Sequence, residues 1–230
     1  MTERGTTEAG RFLSGSWLKV IALLSMTADH AALLFLRADP ILIFPAFGVD
    51  VTLYRVLRLV GRIAFPIYAF LVAEGYQHTW SRTRYGLSLL IFAAVSQYPW
   101  SLIFGKLNVM FTLLYGYLGI WAYDALRSKP WARAAALFAL LAVAVAYPAD
   151  YGFGGYGFVL AMYLLRCHEL ARAVVGSCLL SNPSAALGFF PLHFYNGRRG
   201  FLGHGWGKYL FYLYYPLHLL AIYWLKRQIV

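Results

Sequence analysis

Apolar runs of about 20 residues recur along this chain, and few folds can bury them. A helix of that length spans the ~30 Å hydrocarbon core of a bilayer. Charged residues make up 13% of the 230-residue sequence and hydrophobic residues 61%, where soluble domains run near ~25% charged. The expected class is therefore all-α: a polytopic membrane helical bundle of about eight transmembrane helices. Their expected ranges are 17–36, 56–75, 85–104, 107–126, 131–147, 155–171, 173–193 and 208–227. Helix-breaking or strongly basic sequence separates them at Pro40 and Pro45, at Arg82 to Arg84, at Pro99, Pro130 and Pro148, and through the glycines from 197 to 207. Residues 1–15 are expected to form a polar cytoplasmic tail, and residues 16–230 a single transmembrane domain. The run after the tail is too long for a signal-peptide core and lacks a clear small-residue cleavage site, so it reads as a retained first helix. Asn182-Pro183 interrupts the expected seventh helix. Irregular backbone at that depth needs protein or cavity water to satisfy it.

The net charge of +11 does not point to nucleic acid. The basic residues are scattered at helix ends, where they fix membrane topology. An inside N-terminus puts Arg4, Arg11, Lys19, Arg82, Arg84, Arg127, Lys129, Arg133, Arg166, Arg172, Lys226 and Arg227 on the inside. Outside fall Arg37, Arg55, Arg58, Lys106, Arg198, Arg199 and Lys208. Twelve against seven favours cytoplasmic N- and C-termini. Cys167 and Cys178 lack metal-ligand spacing and read as small buried hydrophobes; no metal is expected. Mirrored halves of the transporter kind are not evident.

Within the first helix, SWLKVIALLSMTADHAALLFL, lie Asp29 and His30. Ionisable groups inside a span need partners or a polar cavity. Lys19 and His30 are eleven residues apart, which at ~100° per residue returns them to one helix face. Asp29 points about a quarter-turn away, toward another helix. His30 reads first as a general base, because imidazole titrates near neutrality; the alternative is interhelical hydrogen bonding. Arg55, Arg58 and Arg62 form one stripe by their spacing of three and four. Arg55 and Arg58 read as interfacial residues. Arg62 lies deep in GRIAFPIYAFLVAEG and needs a carboxylate, with Asp29 or Asp50 the natural partner. Glu74 sits near the inner end of that run as a helix-end carboxylate or a site residue.

Other polar clusters lie at helix ends. Gln97, Asn108 and Thr112, in SQYPW and NVMFT, have the groups to bind a polar substrate or to join helices. Asp150 lies in PADYGFGGYG, whose glycines suit a tight turn or cap; no strand precedes them, so this is not a nucleotide-binding fingerprint. In the C-terminal stretch, Tyr209, Tyr212 and Tyr215 recur every third residue and read as an aromatic belt, followed by Pro216 and His218.

Taken in order, LKVIALLSMTADH, LRLVGRIAFPIYAFLVAEG, SQYPW, LNVMFTLLYG, ADYGFGGYG, FYNGRRG and KYLFYLYYPLHLL resemble the TraX family of integral membrane proteins, associated with N-terminal acetylation of conjugative pilin. TraX proteins are in turn distantly similar to the acyltransferase-three superfamily. That superfamily carries an arginine, ten intervening residues and a catalytic histidine on its first helix. Lys19 and His30 occupy those positions, and a lysine lacks the arginine's bidentate phosphate contact. The resemblance implies a bacterial inner-membrane acetyltransferase using cytoplasmic acetyl-CoA and acting on a pilin or another surface-directed acceptor. On this reading His30, Asp29 and Arg62 are catalytic. Lys19, Glu74, Gln97, Asn108, Thr112, Asp150, Asn196, Lys208, Tyr212, Tyr215 and His218 bind substrates, and Lys19, Arg82 and Arg84 meet the CoA phosphates. The alternatives are a transporter or flippase, and a non-catalytic appendage-assembly protein.

Overall fold

Helix formation follows the apolar runs, and interruptions fall where backbone hydrogen bonding is lost or redirected. The computed structural model describes residues 10–38, 40–46, 49–180, 183–201 and 207–229. Its helices are α1 (Gly15–Ala31), α2 (Leu53–Gly61), α3 (Ala64–His78), α4 (Arg82–Ser101), α5 (Val109–Ala125), α6 (Pro130–Ala146), α7 (Gly152–Leu164), α8 (Glu169–Leu179), α9 (Phe189–His193) and α10 (Gly207–Ile229). A π-helical turn, Ala32–Leu36, extends α1, and a 3-10 turn, Pro183–Gly188, precedes α9. The chain is all-α apart from a short hairpin, β1 (Leu42–Ala46) and β2 (Val49–Thr52). The proline-flanked break after the first helix thus holds strands. Pro45 is tolerated there because a two-stranded ribbon has only edges, and a register shift between Leu42 and Phe44 relaxes the pairing.

Several expected boundaries move. The expected second helix is two, because α2 stops at Gly61. The amide of Arg62 turns back to the Leu59 carbonyl at 3.2 Å and that of Ile63 to Val60 at 3.1 Å. The expected sixth helix, 155–171, ends at Leu164. The expected seventh, 173–193, is α8, the 3-10 turn and α9; Asn182 lies outside the described residues. Cys167 and Cys178 are both exposed rather than buried. Two helical runs, Gly15–Leu36 and Leu53–His78, are long and apolar enough to cross a membrane.

Contacts divide the chain into two compact units, one formed by Met1–Ile67 with Ser184–Val230 and one by Tyr68–Pro183. In the first unit, α1 runs antiparallel to α2: the Ser25 hydroxyl donates to the Val60 carbonyl at 2.5 Å, and Asp29 meets Arg58. Gly61 permits this approach, since a Cβ there would collide with the Asp29 side chain. The start of α1 is capped from afar. Gly15 and Ser16 donate their amides to the carbonyls of Arg198 and Arg199 at 2.8 and 2.9 Å, satisfying donors that a helix N-terminus leaves orphaned. Gly200, at φ +84°, passes so close to Ser14 that a side chain would strike its hydroxyl.

Contacts between α1 and α10 rise together in sequence. Lys19 Nζ lies 5.0 Å from the Phe211 ring centre, Thr27 bonds Tyr214 and His30 bonds His218. The two helices therefore run parallel. Residues 195–199 lie at the N-terminal end of α1, and Ile229 lies toward its other end. Arg198 and Arg199, expected on the side opposite the N-terminus, are thus held beside the start of α1. The reason is non-local: backbone pairing of residues 13–16 with 195–199 returns the chain to the start of α1 before α10 begins.

In the second unit, α5 is central. It packs on α7 where Gly116 and Gly119 face Val159 and Tyr156, and on α4 where Gly86 faces Tyr117. Small residues let apolar helices approach closely. Outward positions are strongly apolar: Leu87, Leu90, Ile91 and Val95 on α4, and Phe138, Val143 and Val145 on α6. Ser96, Asn108 and Thr112 are buried with no exposed surface.

Candidate active site

His30 occupies the last turn of α1 and is buried. Its Nδ1 lies 2.8 Å from Nε2 of His218 on α10, with the rings inclined by 12°. His218 is fixed in turn by its own helix, where Nδ1 lies 3.0 Å from the Tyr214 carbonyl four residues earlier. The Tyr214 ring is nearly parallel to His218 at 5.2 Å between centroids. The Tyr214 hydroxyl donates to Thr27 Oγ1 at 2.7 Å, because the Thr27 hydroxyl itself donates to the Leu23 carbonyl at 2.8 Å. Tyr215 completes the enclosure, its ring 5.6 Å from His218 and 6.5 Å from His30. The spacing 214, 215, 218 sets these side chains on one face of α10.

Asp29 faces α2, as its quarter-turn offset requires, but its partner is Arg58. Sequence reasoning names Arg62 for this role and does not name Arg58. Asp29 packs against the last turn of α2, where Gly61 leaves room for its side chain. Arg62 follows Gly61 as the C-cap residue of α2. Arg58 had been assigned to the interface; its i+4 relation to Arg62 was legible, but depth was not. Asp50, the other proposed carboxylate, accepts from Arg55 Nη1 through its backbone carbonyl at 2.9 Å.

Lys19 is on the face of α1 predicted from the eleven-residue spacing, since it and His30 both meet α10. It sits ~16 Å along the helix from His30 at 1.5 Å per residue. Asn196 builds the capping loop: its side-chain oxygen accepts from the Arg198 amide at 3.0 Å, and Gly197 takes φ +73° beside it. Tyr212 is half-buried on α10. The Lys208 side chain lies outside the described residues.

The remaining candidates belong to the second unit. Asn108 is the N-cap of α5, accepting from the Met110 amide at 2.9 Å. Its side-chain amide donates to Ala93 O at 2.8 Å and to Gln97 Oε1 at 3.0 Å. Gln97 also accepts from the Asn108 backbone amide and donates to Lys106 O. These bonds tie α4 to α5. The buried hydroxyls of Ser96 and Thr112 have no hydrogen-bond partner among the described residues. Asp150 pairs with Lys106 at 2.7 Å, and Glu74 lies 3.7 Å from His78 one helical turn on. Arg82 is held by Asp124 at 2.9 Å and lies over the Tyr76 ring at 4.6 Å. Arg84 lies 5.8 Å from the Trp80 ring centre. Sequence reasoning missed Thr27, Arg58 and Tyr214. Tyr214 carried a signal, its i−4 spacing to His218; Thr27 is a single hydroxyl in an apolar run and carried none. Among the described residues no three His, Cys, Asp or Glu side chains gather to hold a metal.

The fold and site define a predominantly helical protein with a buried imidazole pair beside an Asp-Arg ion pair. The chain belongs to the TraX family, whose description is "TraX protein" and whose match covers residues 14–226. It is also similar to a probable fimbrial assembly protein FimC, serogroup H1, of Dichelobacter nodosus. The two are 31% identical over 244 aligned positions, covering 89% of this chain and 92% of that relative. No solved structure matches.

Proposed function

We propose that this protein is an inner-membrane acetyltransferase that moves an acetyl group from cytoplasmic acetyl-CoA to an acceptor amine or hydroxyl, the N-terminus of a pilin subunit foremost. The family and the fimbrial name of the relative support the pilus connection. The observation that carries the chemistry is the buried His30–His218 pair. A hydrogen-bonded imidazole inside an apolar bundle is positioned for proton transfer. The acceptor nitrogen or oxygen attacks the thioester carbonyl and His30 takes its proton. The carbon–sulfur bond then breaks, and CoA leaves as its thiol with the proton returned from His30. Lys19, toward the N-terminal end of α1, is available to a CoA phosphate.

The parallel course of α1 and α10 supports an orientation with the two termini on opposite sides of the membrane. When the first and last spans run the same way, the number of crossings is odd. α8, with 11 residues, is ~16 Å long and covers about half the hydrocarbon core. Counting α1, α2 with α3, α4, α5, α6, α7 and α10 as crossings gives seven. Arg198, Arg199 and Lys208 then join the side of the N-terminus, and Lys226 and Arg227 leave it. The Lys/Arg balance becomes thirteen against six, a stronger bias for a cytoplasmic N-terminus. The C-terminus is outside. His30 then lies in the outer half of α1, where an acceptor arrives from beyond the membrane.

The relative's name also favours a second reading, a non-catalytic assembly factor. Co-expression with candidate pilins and mass spectrometry separates the two. Wild-type protein adds an acetyl-sized increment, and a His30→Ala variant that inserts and melts normally does not. Undiminished acetylation by that variant removes His30 from the chemistry. No increment with any acceptor leaves the assembly reading.

A further inference from the structure

We infer that His218 is a positioning residue that fixes the proton of His30 on Nδ1 and so makes Nε2 the nitrogen that accepts the substrate proton. The inference rests on the acetyl-transfer reading for its kinetics, and on hydrogen-bond chemistry alone for its assignment.

The argument begins at a backbone carbonyl. The Tyr214 carbonyl can only accept, so His218 Nδ1, 3.0 Å away, carries the proton. In a neutral imidazole the other nitrogen then bears the lone pair. His218 Nε2 is therefore an acceptor, and the group facing it at 2.8 Å, His30 Nδ1, must be the donor. With both rings neutral, no other proton placement satisfies both bonds. His30 consequently has its lone pair on Nε2. The chain of donors is anchored at both sides. Tyr214 gives its carbonyl to His218 and its hydroxyl to Thr27, and Thr27 is tied to the Leu23 carbonyl. The ring on which the assignment depends is thus held by neighbours one helical turn away on its own helix and by the facing helix.

The usual orienting group for a catalytic imidazole is a carboxylate, and Asp29 is the adjacent residue. Its charge is engaged by Arg58 on α2, while the His30 Nδ1 bond goes to α10. A neutral imidazole takes the orienting role here. When His30 accepts a proton at Nε2, its Nδ1–H bond to His218 becomes charge-assisted. Such bonds are about twice as strong as neutral ones. The interaction therefore strengthens as positive charge develops, which favours the transition state over the ground state.

The assignment is tested by long-range 1H–15N correlation spectra of histidine-labelled protein in lipid nanodiscs, with His30 identified by its loss in His30→Gln. The expected spectrum has His30 protonated at Nδ1 and unprotonated at Nε2; the reverse overturns the inference. In acetyl-transfer assays His218→Ala lowers kcat by about 10²–10⁴-fold, the range for general base function. Its KM for acetyl-CoA stays within about threefold of wild type, as for an interaction realised in the transition state. His218→Gln places a carbonyl oxygen where Nε2 was and recovers all but about tenfold of kcat by restoring the acceptor. Unchanged kcat in His218→Ala, or glutamine no better than alanine, overturns the inference. If the wild-type protein transfers no acetyl group, the acetyltransferase reading fails, and the spectra alone decide the proton placement.

Discussion

Two arginines one helical turn apart, Arg58 and Arg62, lie in reach of the α2 face that Asp29 packs on, and the ion pair forms with Arg58. The consequence is a measurable coupling. Removing one member of a buried pair leaves an uncompensated charge and costs about 3–5 kcal/mol. The Asp29 and Arg58 side chains retain 17% and 23% of their exposure, which places each single alanine variant near the lower end, about 3 kcal/mol. The double variant Asp29→Ala/Arg58→Ala leaves no orphan charge. It is expected to cost about 3 kcal/mol rather than 6, a coupling of about 3 kcal/mol, the upper end for contacting residues. The coupling of Asp29 to Arg62, measured in the same way, is expected to be smaller than its coupling to Arg58. Thermal unfolding in lipid nanodiscs reads this out. Each single loss corresponds to roughly 6–12 °C, at 2–4 °C per kcal/mol for a chain of this size. A coupling of Asp29 to Arg62 that exceeds its coupling to Arg58 would refute that assignment.

Asn108→Ala removes an N-cap worth about 1 kcal/mol and strands the buried groups it bonds on α4, a further 1–3 kcal/mol. Its expected signature is a lowered melting temperature; normal melting with lost acetyl transfer would assign Asn108 to substrate binding instead. A C-terminal alkaline phosphatase fusion, which is active only outside the cytoplasm, should be active if α10 parallels α1 across the bilayer. Activity of a cytoplasm-restricted reporter at the same position, with a silent phosphatase, would reverse that topology.

Much of the helical framework was legible from hydrophobic runs and their punctuation. The expected 85–104, 107–126 and 131–147 lie within a few residues of α4, α5 and α6. These boundaries are local: a serine cap, an asparagine cap and a proline at a helix start act within one turn. The hairpin at 42–52 escaped because its strands are short and sit between prolines that mark a break without naming what fills it. Residues 173–193 were long and apolar enough to suggest one span, yet the chain bends through a 3-10 turn and α9 instead.

The candidate site divides the same way. Sequence alone placed His30 inside an apolar helix, put Lys19 on its face and turned Asp29 to another. All three follow from 3.6-residue periodicity, a property of one helix taken alone. It could not supply partners, because these depend on how far one helix slides along another and which way it runs. Tertiary structure packed α1 on α2 at Gly61 and paired Asp29 with Arg58. It brought residues 195–199 back to the start of α1, made α10 parallel to α1, and so delivered His218 to His30 across 188 positions of sequence. Periodicity fixes the direction in which a side chain points; packing between segments distant in the chain decides what it meets.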